Sequence, residues 1–504
     1  MPNRLVKAAM YEHMSALFGG PPNATHLALY TRWAAGGWGM VCTGNVQVCS
    51  DHLTLGRDMV VPVSLTAETI EPYAQLARVI HYGSSDGEGK GEPGTLAIMQ
   101  LSHPGRQSTN VIGGRWPFVP PLAPSAVPVG RVASKGEGYA SALLSHLVHT
   151  VFFQTPRPMG LSDIENVVSS FVRGAELAAE SGFDGVQLHA AHGYLISQFM
   201  SPKTNWREDR YGAPDNALRF LREIVCAIRE HDKISSNFVL GVKLNAADYV
   251  DCRSGGQPAE QQNQALQHVC EIARWGMLDF IEVSGGDYED PAFLTENKSG
   301  RQAFFTEFAR EVKQTLASSQ ASNPPLILLT GGLRTLPRMS SVLDHDYADL
   351  LGIGRLSVLC PDLPRTLEAA KTGDFRDNCF PWEPLPEPDL ASPTTAHAQH
   401  FVSRSLIPLI TRCWAGLPVH FPKLVGAGAV MAWYMVMMRR IAANEEVDYS
   451  VGGVEAVLRM WLWLAPSSGR HIDGGFIACV LDSWWAMGML GVFLGLVLGI
   501  SFNP

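Results

Sequence analysis

The densest cluster of reactive side-chain types in the chain is His189-Ala190-Ala191-His192-Gly193-Tyr194. Two imidazoles three residues apart can converge on one oxygen atom, and a phenol two residues further on can reach the same substrate as a proton donor. Spacing by itself is weak, because His146-Leu147-Val148-His149 repeats it with no strand-like run before it and no tyrosine after it. The 189–194 cluster stands apart because it follows directly on the apolar run Gly185–His189. The nine cysteines are scattered without CxxC spacing, which supports neither a zinc module nor a disulfide framework and points to a reducing, intracellular compartment.

The elements that must position the cluster show in the hydrophobic pattern. Arg4–Met10, Gly39–Val46, Thr95–Leu101, Gly185–His189, Val239–Leu244, Phe280–Val283, Leu326–Leu329 and Leu350–Ile353 are near-continuous Val/Ile/Leu runs, as expected of parallel strands covered on both faces. Helix-period segments lie between them. One is Ser162–Ser181, where Ser162-Asp163-Ile164-Glu165 reads as a capping box and Gly182 as the stop. The alternation predicts an α/β fold, a (β/α)8 TIM barrel. A doubly wound sheet is the alternative, but the glycine fingerprint it would carry after its first strand is missing. In a barrel the 189–194 cluster falls on the C-terminal face, where active sites are built.

Gly83–Gly94 reads as a polar loop, Pro117–Lys135 as an extended segment over the barrel mouth, and Pro384–Thr395 as a Pro-rich linker. The expected organisation is a barrel domain over 1–383, a linker over 384–400 and a largely helical C-terminal extension over 401–504. Within the extension, Leu424–Met438 is short for a span, whereas Ser483–Phe502 is an uncharged run about as long as the ~20 residues that cross a bilayer. Its two readings are a membrane attachment and a helix buried in the protein or a homodimer. The chain has 504 residues, 39 basic and 48 acidic, for a net charge of −9. That balance, with no dense Lys/Arg stripe, argues against a nucleic-acid partner. The first residues, Met1–Lys7, lack the apolar core of a secretory signal, so a cytoplasmic protein is expected, attached to an intracellular membrane if Ser483–Phe502 inserts.

The string HAAHGYLISQFMSPKTNWREDRYG, from His189 to Gly212, resembles the signature of the old yellow enzyme family of FMN-dependent ene-reductases, in its fungal form. The resemblance extends, in the family's order, to LVKAAM at Leu5–Met10, Thr43-Gly44-Asn45, MQLSHPGR at Met99–Arg106, Val242-Lys243-Leu244-Asn245, Ser284-Gly285-Gly286 and Gly352-Ile353-Gly354-Arg355. It covers roughly Asn3 to Ala370. It implies non-covalent FMN across the barrel top, with NADH or NADPH as hydride donor and an α,β-unsaturated carbonyl compound, such as a natural-product intermediate, as substrate. Gly331, Gly332, Gly354 and Arg355 are then placed at the FMN phosphate, where barrels bind such groups through backbone N–H and guanidinium. Gln100 takes the flavin's pyrimidine edge, Lys243 lies beside its N1 and O2, and the backbones of Ala9, Met10 and Gly44 lie against the ring, two of these being small enough for close approach.

The implied roles make His189 and His192 hydrogen-bond donors to the substrate carbonyl and Tyr194 the acid that protonates the α-carbon. Three other readings remain open here. The same residues could run a redox-neutral isomerisation or epimerisation, Lys243 could be a Schiff-base nucleophile, or the barrel could be a tethered scaffold. Three features depart from the family. The chain starts almost at the first strand, Tyr11 stands where members carry a small Thr or Cys, and the region after Pro384 exceeds what a compact barrel needs.

Overall fold

The structure of the protein, a computed structural model, describes residues 1–83, 94–129, 152–246, 258–284, 298–318, 323–372, 385–388, 390 and 423–461. Eight parallel strands form the barrel: β1 (Leu5–Lys7), β2 (Met40–Gln47), β3 (Leu96–Ser102), β4 (Gly185–Ala190), β5 (Val239–Asn245), β6 (Phe280–Ser284), β7 (Leu326–Thr330) and β8 (Leu350–Ile353). Each pairs with its neighbour in chain order, and β1 pairs with both β2 and β8, which closes the ring. The apolar runs of the sequence are these strands, and the (β/α)8 barrel is the fold.

Helices connect the strands: α1 (Ala24–Ala35), α2 (Ala67–Tyr82), α3 (Leu161–Glu180), α4 (Arg219–Arg229), α5 (Pro258–Arg274), α6 (Lys298–Ser318), α7 (Leu336–Asp344) and, after β8, α8 (Leu363–Thr372). The start of α3 differs from the sequence expectation. Gly160, not Ser162, is the N-cap, and the Asp163 carboxylate accepts from the Gly160 N–H at 2.8 Å. An acceptor at the third helical position therefore closes the first turn from inside the helix.

Alternate residues of each strand point into the barrel. At the lower level Val6, Met40, Cys42, Ile98, Phe280, Leu328 and Leu350 pack into one apolar cluster. Gly241 makes room for it, since a Cβ there would fall 2.1 Å from Cζ of Phe280. Two residues further along the same strand faces, the lining changes character: Gln100, Gln187, Lys243 and Glu282 are polar and buried. The barrel thus has a filled apolar floor and a polar layer directly beneath its C-terminal mouth.

Contacts divide the chain into Met1–Leu385 and Pro386–Pro504. In the second unit, a helix over Lys423–Ala442 carries the buried Trp433, and Arg439 donates to the Arg459 carbonyl of a helix over Gly453–Trp461 at 2.8 Å. Among the described residues no helix is long and apolar enough to cross a membrane. Ser483–Phe502, most of the Pro384–Thr395 linker, His146–His149 and the tip of the Gly83–Gly94 loop lie outside the described residues.

Replacing Gly241 with alanine should force the Phe280 ring from its place and cost about 1–3 kcal/mol, the usual penalty of overpacking. A thermal melt of Gly241→Ala checks this. An unchanged midpoint would contradict the packing described.

Candidate active site

Every residue picked out from the sequence lies at or just beyond the C-terminal ends of the strands. Ala9 and Met10 follow β1, and Gly44, Gln100, His189 and Lys243 are in the upper parts of β2, β3, β4 and β5. Gly331 and Gly332 follow β7, and Gly354 and Arg355 follow β8. Because strands pair in chain order, β4 and β8 stand on opposite sides of the mouth. The imidazole cluster therefore faces the glycine turns across the barrel top.

His189 ends the inward face of β4. Its Nδ1 accepts from the Ala191 backbone N–H at 3.3 Å, which places the ring proton on Nε2 in the neutral form. His192 follows in a left-handed turn, φ 57°, with Gly193 at φ 71°. Asn245 at the end of β5 accepts from the His192 backbone N–H at 3.2 Å, and Ser284 at the end of β6 meets its Nε2 at 3.1 Å. The rings of His189 and His192 stand edge-on with centroids 5.1 Å apart, and His189 and Tyr194 at 4.4 Å. Burial holds both imidazoles well below their usual 6.5; the charges of neighbouring His192 and of Lys243 add to this at His189, and that of Lys243 at His192. Both are neutral at physiological pH.

Tyr194 is buried, and its hydroxyl accepts from Asn45 Nδ2 at 2.9 Å. The loop after β3 clamps the turn that carries it. The His103 carbonyl accepts from Leu195 N–H at 2.8 Å. Gln198 Nε2 donates to the carbonyls of Pro104 and Gly193 at 3.0 and 2.7 Å, and Gln107 Nε2 donates to the His192 carbonyl at 3.1 Å. Asn45, Gln198, Asn245 and Ser284 sit within motifs that carry the family resemblance, whereas Gln107 lies just past the end of one.

Two positions gain partners that the sequence does not show. Lys243 is not a lone cation: its Nζ lies 2.8 Å from Glu282 Oε1, both buried. Held against a carboxylate, it is poorly placed to act as the Schiff-base nucleophile. Gly44 is also crowded by the chain itself. A Cβ there would fall 2.7 Å from the Met10 carbonyl oxygen and 2.8 Å from Glu12 Cδ, so the crowding comes from the segment after β1. Glu12 accepts from Gly44 N–H at 3.2 Å and from the Tyr30 hydroxyl, and Lys7 lies 4.0 Å over the Trp33 ring. Burial pulls the Lys7 amine down to about 8 and pushes the Glu12 carboxyl up. Tyr11 turns toward the loop after β2, where its hydroxyl accepts from Leu55 N–H at 3.2 Å.

The mouth suits a flat ligand with polar edges and an anionic tail, as FMN is. Gly332 bends the turn after β7 with φ 69°, and a Cβ on Gly354 would meet nothing within 4 Å. Open space beside backbone N–H groups and Arg355 is what a phosphate requires. Across the mouth, Gln100 and Lys243 are the polar groups that a pyrimidine edge would meet. Of the segment at Pro117–Lys135, residues 130–135 lie outside the described residues. Phe118, near the start of that segment, and Trp116, just before it, are 75% and 81% exposed, so these two rings do not pack down onto the barrel.

Comparison with known proteins places the chain in a family. Residues 1–373 match the NADH:flavin oxidoreductase / NADH oxidase family. The chain is 39% identical over 389 residues to the NADH-dependent flavin oxidoreductase iliE of Neonectria sp. (strain DH2), a match covering 74% of this chain and 46% of that protein. The chain thus spans less than half the length of that relative. It is 35% identical to the NADH-dependent flavin oxidoreductase iccE of Talaromyces variabilis, over 75% of this chain and 86% of that one. Among solved structures, an old yellow enzyme homologue from Zymomonas mobilis superposes with a TM-score of 0.54 at 21% identity, covering 73% of this chain and 89% of that one. Morphinone reductase superposes with 0.54 at 21%, covering 76% and 88%. At such identity the likeness is one of fold.

The buried histidines make stability fall in mild acid. His26 is held at about 3 and His268 at about 4, and His52, His103, His189 and His192 are also lowered, all chiefly by burial. Below pH 6.5 the unfolded chain takes up these protons before the folded one does, so stability declines as pH falls from 6.5 toward the folded values. The raised carboxyls of Glu12 and Asp58 oppose this, but two groups do not offset six. Urea midpoints should fall from pH 7 to pH 5, and more shallowly in His26→Gln. A midpoint flat over that range would contradict the buried, neutral assignment.

Proposed function

The chain belongs to the NADH:flavin oxidoreductase / NADH oxidase family, and from that premise we propose that its barrel reduces the C=C bond of an α,β-unsaturated carbonyl compound at the expense of NADH. FMN, when bound, supplies the redox chemistry, taking hydride from the nicotinamide and passing it to the substrate. NADH is the reductant in the names of the fungal relatives. The protein's own side chains bind, orient and protonate.

The observation that carries this reading is the tautomer of His189, with the neutral His192 ring beside it. With Nδ1 of His189 accepting from Ala191 N–H, Nε2–H is the donor that meets the substrate carbonyl oxygen. His192, tethered through Nε2 to Ser284, meets it with the other edge of its ring. Two neutral donors aimed at one oxygen stabilise the enolate character that grows there as the β-carbon accepts hydride. The barrel interior excludes water around them, which strengthens both bonds. Tyr194 closes the reaction by giving its proton to the α-carbon. Asn45 donates into the phenol oxygen, so the O–H is directed away from that amide, and the oxygen left after proton transfer keeps a donor.

Rapid-mixing measurement of the two half-reactions under anaerobic conditions tests this. Tyr194→Phe should slow reoxidation by 2-cyclohexenone by about a hundredfold or more, the scale of a lost general acid. Bleaching by NADH should stay within about threefold of wild type, since that step needs no proton from Tyr194. Equal slowing of both would remove Tyr194 from its role. Product formation without NADH consumption would instead establish the redox-neutral isomerisation.

A further inference from the structure

Beneath the mouth, four buried side chains form one line across the barrel. Gln100 Nε2 lies 2.7 Å from Gln187 Oε1, Gln187 Nε2 lies 2.7 Å from Glu282 Oε2, and Glu282 Oε1 lies 2.8 Å from Lys243 Nζ. All four are 3% exposed or less. Strand register imposes the line, for Gln100 is level with Gln187 and Lys243 with Glu282. Its direction follows from the chemistry of its end. A carboxylate paired with an ammonium can only accept. Gln187 must therefore turn its amide N–H2 to Glu282 and its carbonyl to Gln100, and Gln100 must turn its own N–H2 inward. The one group Gln100 can then show to the mouth is its carbonyl oxygen.

We propose that Glu282 is a positioning residue that, through Gln187, sets the polarity of Gln100 and so makes the barrel mouth select a ligand edge bearing an N–H donor. The inference rests on the FMN reading above. The pyrimidine edge of an isoalloxazine offers one such donor, N3–H, among acceptors. A reversed Gln100 would present N–H2 to that donor and lose the bond. Glu282 does not touch the cofactor in this account; it acts through two amides.

The relay makes a reciprocal prediction. In Glu282→Gln, Lys243 remains donor-only and claims the new amide's oxygen, leaving its N–H2 facing Gln187. Gln187 must then flip and donate to position 100, and Gln100 shows N–H2 to the mouth. In Gln100→Glu alone, a carboxylate oxygen faces the Gln187 carbonyl. In the double variant, the flipped Gln187 donates to one oxygen of the carboxylate at position 100 and the other oxygen accepts at the mouth.

The test is fluorescence titration of FMN into the full-length apo-protein, with circular dichroism to confirm folding. Glu282→Gln and Gln100→Glu should each weaken FMN binding about tenfold or more, the scale of a buried polar mismatch. The double variant should recover to within about threefold of wild type, which a merely structural role would not produce. Singles that bind as wild type does, or a folded double variant at least as weak as the weaker single, would overturn the proposal. If Glu282→Gln does not fold, Gln187→Met decides. It cuts the relay and must lose affinity to a similar degree; full affinity overturns the proposal. A wild type that takes up no FMN overturns the functional reading together with the relay, whereas FMN-binding wild type with unresponsive variants overturns the relay alone.

Discussion

A lysine and a glutamate facing each other 2.8 Å apart inside the barrel constrain everything above them. Removing either would strand a charge in a place with little water, at a cost of several kcal/mol. Such a pair is poor insulation for an apolar core, and the barrel accommodates it by keeping its floor apolar and placing the pair one side-chain level higher. From there the ammonium lowers the basicity of both imidazoles, and the carboxylate directs two amides. The neutral, singly protonated histidines on which the proposed substrate polarisation rests follow from burial and from a positive neighbour acting together.

The second constraint is mechanical. His192 and Gly193 are both left-handed, and a histidine in that region is held by its surroundings rather than by its own preference. Asn245, Ser284, Gln107 and Gln198 hold it, through bonds with two neighbouring strand ends, from the loop after β3 and from the short helix that follows Tyr194. Side chains on a turn thereby gain the precision of side chains on strands. Behind β2, the buried Glu12 and Tyr30 hold the Gly44 N–H, and fix that strand in the same manner.

Fold and site layout were largely legible in the sequence because both depend on local pattern. Parallel strands buried on two faces read as unbroken apolar runs, and the rule that barrel strand ends carry function placed His189, Gln100, Lys243 and Gly354 on one rim. Pairings across strands were not legible. Lys243 and Glu282 are each a lone charge in an apolar strand, a signal that something must neutralise them, but only the register shows that they neutralise each other. Asn45 reaches Tyr194 across 149 positions, and Gln107 reaches His192 across 85. The cap of α3 was misplaced by two residues because Asp163 can close the turn from its third position, with no help from Ser162. The proximity of Glu12 to Gly44 was not legible, since it appears only once the segment after β1 has folded back.

The central claim is that the strand ends of this one barrel hold FMN with His189 and His192 over it. The most direct measurement is the visible absorbance spectrum of the full-length protein after incubation with FMN and removal of free flavin. The account predicts a yellow protein carrying one FMN per chain, with a spectrum that shifts when His189 and His192 are both replaced by alanine. A colourless protein, or a flavin whose spectrum ignores both histidines, would contradict it.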